Sequence, residues 1–254
     1  MRLRPNYINV KAYLKVCSAK YFYDNKSIVL GRFACLGHEV MTLLKLEKRS
    51  VNFQKSRVDH ILNFSKFKIF NINSLYKKLL RKDVFEMILT QQVDFFSFKK
   101  PYLILIDSNA ELNDRKFTTN KGQSFYANFI DVNPSQKKEL IDEGLVTGDI
   151  LEGLYHDFFT ELQTVYPDVP VFFLHYPTFK EKRRKNIERA ELIENILSTL
   201  EKKFNFLFSI SLNNEELALL KSHDEDPFPY HYSRDIYALF SNKVKQNLIT
   251  IKYI

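Results

Sequence analysis

A histidine takes and returns protons near neutral pH, so one held on a loop ahead of a helix is a natural centre for chemistry. The stretch HDEDPFPYHYSRDIY, residues 223–237, carries two histidines, with three acids and two prolines before an amphipathic run. Pro227 and Pro229 stiffen the approach and bar helix there, so Ser233 or His231 opens the last helix. His231 presented in this way can act as a general base. Asp226 or Asp224 is near enough in sequence to fix its tautomer, as a nucleophile–base–acid set requires. The plainer reading makes these acids and His231 ordinary loop and cap residues.

Nucleophile candidates lie near the other end of the chain. Cys17 and Ser18 close the apolar run YLKVCS, and a thiol between a strand end and a helix N-terminus has a lowered pKa. As plain structure, Cys17 is a small buried hydrophobe, and Cys35 within RFACLGHEV reads as core. Asn109 follows the run YLILID and could donate its amide to an oxyanion, or Asp107-Ser108-Asn109 is simply a polar turn. Arg32 and Arg115 could bind an anionic substrate group beside Asp107, or serve as surface ion-pair residues. His38, His60 and His156 fall in helical patterns and read as structural.

These residues need a scaffold that gathers strand ends. Apolar runs at 13–18, 28–34, 67–72, 102–107, 169–176 and 204–210 read as buried strands. Stripes at i, i+3 and i+4 predict helices over 150–166, 185–203 and 233–248, with further candidates at 38–48 and 74–91. Asp149 is the expected N-cap of the first, with Glu152 three residues on. Strand–helix alternation predicts a three-layer α/β/α fold with a mostly parallel, flavodoxin-like central sheet. We expect a single domain over residues 1–254, with a basic, mostly helical insertion around 38–100. Ligands of such sheets bind beyond the carboxyl ends of the strands.

Composition narrows the function classes. Two cysteines cannot form a disulfide framework and suit a reducing compartment, so a cytoplasmic location is the default. The N-terminus has no apolar core of a signal peptide, and no apolar run reaches the length of a membrane span, although peripheral contact with the inner membrane stays open. Neither GxGxxG nor GxxxxGK[ST] occurs, and CxxC and HExxH are absent, so no cofactor or metal is expected. The net charge is +8, and residues 45–82 hold eleven Lys or Arg against two acids. A second basic cluster covers 180–189. Either a solvated surface or a face for an anionic polysaccharide or nucleic acid accounts for this excess. Asp107 and Glu111 could together hold Mg²⁺ in a phosphodiester-cleaving enzyme.

The layout resembles the SGNH (GDSL-like) hydrolase superfamily, in particular bacterial branches associated with surface polysaccharide genes. Those branches carry a Gly-Ser-Cys or Gly-Asn-Cys motif after the first strand, an "ID…ER"-like motif after a middle strand and a "PFHY"-like motif before the last helix. The stretches that carry the likeness are Lys15-Val16-Cys17-Ser18, Ile106-Asp107 with Glu111 and Asp114-Arg115, and Pro227 to Tyr232. The resemblance implies Cys17 (or Ser18) as nucleophile, His231 as base, Asn109 as oxyanion donor, and Gly31 or Arg32 near a second oxyanion element. The aspartate expected three residues before the histidine falls at Phe228, and Asp226 stands five before. The implied activity is acyl transfer, by an esterase or an O-acyltransferase, on a bacterial surface glycan or its precursor. A transferase would draw on a donor such as acetyl-CoA. The alternative is a non-catalytic relative that binds an anionic polymer through the basic region.

Overall fold

The computed structural model describes residues 28–66, 75, 77–220 and 229–251. The expected strands at 13–18 and 67–72 lie outside the described residues, as do Cys17, Ser18 and Asp226. In chain order the elements are β1 (Val29–Arg32), α1 (Cys35–Leu43), β2 (Ser50–Asn52), α2 (Val58–Leu62), α3 (Lys82–Leu89), β3 (Leu103–Asp107) and α4 (Asn109–Asn113). There follow β4 (Asp114–Thr119), β5 (Ser124–Asn128), β6 (Leu140–Gly144), α5 (Gly148–Val165), β7 (Val171–Leu174), α6 (Arg184–Glu201), β8 (Leu207–Ile210), α7 (Asn214–Leu220) and α8 (Arg234–Thr250).

Among the described residues, five strands form one sheet in the order β2-β1-β3-β7-β8, and every described pairing in it is parallel. Numbered within this sheet, that is the 2-1-3-4-5 order of flavodoxin-like folds. β1, β3 and β7 are buried at every position, because helices cover both faces. α1 packs on α8, while α2, α5 and α6 form a second group. The stripe Leu151, Tyr155, Phe158, Phe159 and Leu162 of α5 faces the core, as its spacing predicts. Its N-cap is Thr147 rather than Asp149, which sits in the first turn, where an acid complements the helix dipole. Among the described residues no helix is long and apolar enough to cross a membrane.

A second sheet, antiparallel and ordered β5-β4-β6, is inserted between β3 and α5. It has its own core, in which Phe117 and Phe125 meet Leu79, Val84, Phe85 and Ile88. Burying each such side chain contributes about 1.5–3 kcal/mol. The segment 38–100 is accordingly more than a helical insertion: it supplies β2 to the main sheet and α3 to this second core.

Buried charges join the two sheets. Arg32 Nη1 meets both oxygens of Glu111 at 2.7 Å. Glu111 also accepts Val58 N–H at 3.0 Å and the Tyr155 hydroxyl at 3.1 Å. Lys55 reaches Asp114 at 2.9 Å and Asp131 at 3.2 Å. Arg57 pairs with Asp59 and donates to the carbonyls of Asp114 and Gly144. Lys55, Arg57 and Lys78 are buried, so the basic run does not form a continuous cationic face.

Candidate active site

In a sheet of this order, the crossovers diverge between β1 and β3, and that is where a ligand cleft is expected. β1 ends at Arg32, the chain turns through Phe33 and Ala34, and α1 begins at Cys35. Phe33 is buried beneath this turn. A Cβ on Gly31 would lie 2.3 Å from the Phe33 ring, and one on Gly37 would lie 2.3 Å from Phe33 Cβ. Both positions therefore need glycine to let the aromatic tuck in.

Asp107, at the end of β3, closes the turn from the other side. Its Oδ2 accepts Ala34 N–H at 2.7 Å and the Tyr176 hydroxyl at 3.3 Å, and its Oδ1 accepts Asn109 N–H at 3.1 Å. Tyr176 Oη in turn accepts Leu36 N–H at 3.0 Å. Burial lifts the Asp107 carboxyl to about 6, against the opposing pull of the Ala34 and Asn109 N–H groups and the Arg32 guanidinium.

Beyond this turn opens a cleft of about 530 Å³. One wall carries Cys35, His38 and Glu39 of α1, and the other carries His231, Arg234 and Tyr237. The placement of His231 follows from its neighbours. Tyr230 sets its ring edge-on to Tyr176 at 5.5 Å, and its hydroxyl meets Glu181 at 2.8 Å, Arg183 at 2.8 Å and Asn186 at 3.0 Å. The Tyr232 hydroxyl donates to Pro177 O at 2.8 Å. His231, between these two anchored tyrosines, lines the cleft together with Tyr232. Lys180 Nζ fixes the His231 carbonyl at 2.6 Å. The hydrogen bonds from Arg183 hold the Glu181 carboxyl down at about 2.

Cys35 departs from its expected place in the core. It is exposed at the first position of α1, on the cleft wall. The usable signal is a strand followed by a short turn framed by Gly31 and Gly37. Desolvation, and then the Asp107 charge, push the Cys35 thiol above its ordinary value. At neutral pH it is protonated and requires a base before it can attack.

The remaining predicted residues fall elsewhere. Asn109 opens α4, directs its backbone N–H to Asp107 and is not among the residues lining this cleft. Asp107 supports the turn from behind. Arg32 is 1% exposed and engaged by Glu111, which removes it as a substrate anchor. Arg115 belongs to the second sheet, where it pairs with Asp142 at 2.8 Å. The carboxylates of Asp107 and Glu111 are turned to different donors, so they do not form the metal-holding pair that the phosphodiesterase reading needs.

Fold and cleft together define a doubly wound α/β protein with a cysteine and a histidine on one cleft between α1 and the start of α8. Compared with family models, with curated proteins and with solved structures, the chain matches none.

Proposed function

We propose that this protein is a thiol-dependent acyl-transfer enzyme, an esterase or O-acyltransferase, with Cys35 as nucleophile and His231 as general base. One observation carries the reading: Cys35, at the start of α1, and His231, just ahead of α8, line the same cleft. In the SGNH-like layout the nucleophile follows a strand of the sheet and the base precedes the last helix. Cys35 after β1 takes the place that the sequence alone assigned to Cys17. The resemblance also supplies the substrate class, a bacterial surface glycan or its precursor, and the two-cysteine composition supports a cytoplasmic setting.

In this mechanism His231 takes the proton from Cys35 Sγ, and the thiolate attacks the ester carbonyl to form a C–S bond. The C–O bond to the leaving alcohol breaks, and the imidazolium returns its proton to that alcohol. His231 then deprotonates water or a sugar hydroxyl, whose oxygen attacks the thioester, and the released sulfur regains the proton. The raised thiol pKa makes the base essential. Hydrolysis of a p-nitrophenyl ester is expected to vanish in Cys35→Ala and to slow by about 10²–10⁴-fold in His231→Ala. Equal rates in wild type and Cys35→Ala would remove the thiol from the reaction.

A further inference from the structure

We infer that the substrate of this cleft carries an anionic group, a carboxylate or a phosphate, which Arg234 receives. The inference rests on the cleft reading above and adds a specificity determinant to it. Most arginines among the described residues have an acceptor. Arg32 has Glu111, Arg57 has Asp59, Arg81 has Asp83 and Asp131, Arg115 has Asp142, Arg183 has Glu181, Arg184 has Glu188, and Arg189 has the Glu111 carbonyl. Arg49 and Arg234, both exposed, have no such partner among the described residues, and of these two Arg234 is the one that lines the cleft, beside His231.

The facing wall carries Glu39, and among the described residues no ion pair joins it to Arg234. A cation and an acid held apart across one cleft form a polarised site. The guanidinium offers a fork of N–H donors that matches the planar oxygens of a carboxylate or the edge of a phosphate. The carboxylate of Glu39 can accept hydroxyl donors, which are abundant on a sugar. His38 lies one residue before Glu39 on the same wall and adds a further polar contact. An acidic sugar or a sugar phosphate satisfies both walls, whereas a plain neutral ester leaves Arg234 in water.

Alkylation of Cys35 tests this without relying on catalysis. Iodoacetate and iodoacetamide differ in charge at nearly the same size, and peptide mass spectrometry separates Cys35 from Cys17. The ratio of iodoacetate to iodoacetamide rates at Cys35 is expected to fall at least about threefold in Arg234→Gln, and to fall with added salt in wild type. A ratio unchanged by Arg234→Gln overturns the inference, even if ester hydrolysis confirms the thiol chemistry. In a second arm, glucose 1-phosphate, glucuronate and glucose compete with iodoacetamide. Stronger protection by the phosphate or by the carboxylate identifies the anion, and equal protection by glucose counts against an anion site. Loss of ester hydrolysis in Cys35→Ala tests the acyl-transfer reading separately.

Discussion

The carboxylate of Asp107 accepts the backbone N–H of Ala34 at 2.7 Å, tying the end of β3 to the turn that delivers Cys35. This bond has two effects. It fixes the first turn of α1, and it brings a negative charge to the helix end where a thiolate would otherwise be favoured.

Replacement of Asp107 by Asn separates these effects. The variant keeps the shape but removes the charge and sets an amide N–H against a backbone donor, at a cost of about 1–3 kcal/mol in stability. The Asp107 charge raises the Cys35 thiol, so its removal is expected to lower that pKa. The pH dependence of iodoacetamide alkylation reads the value directly, and an unmoved midpoint would show that Asp107 does not act on the thiol.

Two glycines give opposite expectations. A Cβ on Gly37 would meet Phe33 Cβ at 2.3 Å, so Gly37→Ala is expected to cost about 1–3 kcal/mol and to disturb Cys35 reactivity. Gly153 lies inside α5 with nothing within 4 Å of where an alanine methyl would sit, and Gly153→Ala is expected to gain up to about 1 kcal/mol. Urea denaturation midpoints compare the two, and a tolerant Gly37 would undo the account of the turn.

Tyr230 acts on His231 through the chain between them. Tyr230→Phe keeps the ring against Tyr176 and removes the hydroxyl that meets Glu181, Arg183, Asn186 and Asn113. We expect a loss of about 1 kcal/mol in stability and a lower kcat with KM nearly kept. Alkylation of Cys35 by iodoacetamide should persist in this variant. A kcat equal to wild type would mean that the hydroxyl network does not position the imidazole.

Acid should weaken the fold through two histidines. Burial depresses His60 to about 4 and His175 to about 3. The unfolded chain, with histidines near 6.5, therefore binds more protons as pH falls below that value, and stability drops by about 2 kcal/mol per histidine by pH 5. Asp107, raised to about 6, works in the opposite direction between roughly pH 4 and 6 and returns about 1–2 kcal/mol. The histidines prevail, so the urea midpoint should fall between pH 7.5 and 5. The fall should be shallower in His60→Phe, whose ring suits the neighbours Phe64 and Tyr126. An identical pH slope in that variant would exclude His60 as a source.

Much of the main sheet could be read from the chain because β3 and β7 lie in apolar runs buried on both faces and α5, α6 and α8 carry regular stripes. The second sheet could not. β4 alternates irregularly, with Asp114 buried by a lysine rather than by apolar neighbours, and β6 is largely exposed, so neither carries the hydrophobic signal of a strand. β2 is only three residues long. Lys55 looked like a surface cation because its acidic partners, Asp114 and Asp131, are distant in sequence, and Arg57 because the carbonyls of Asp114 and Gly144 that it reaches are distant too. The position of His231 just ahead of the last helix was legible from the prolines that precede it in sequence. Cys35 was hidden by its apolar neighbours Ala34 and Leu36, whereas in the structure Phe33 packs against two glycines and Cys35 is exposed at the first position of α1.

The most direct test of the central claim is to trap the acyl group. Wild type and His231→Ala are quenched in acid within the first turnovers on p-nitrophenyl acetate, and the peptides are then mapped by mass. The account predicts an acetyl thioester on Cys35 in wild type, formed at least about a hundredfold more slowly in His231→Ala. Ester turnover with no acyl group on Cys35, or acylation at the same rate in both proteins, would contradict it.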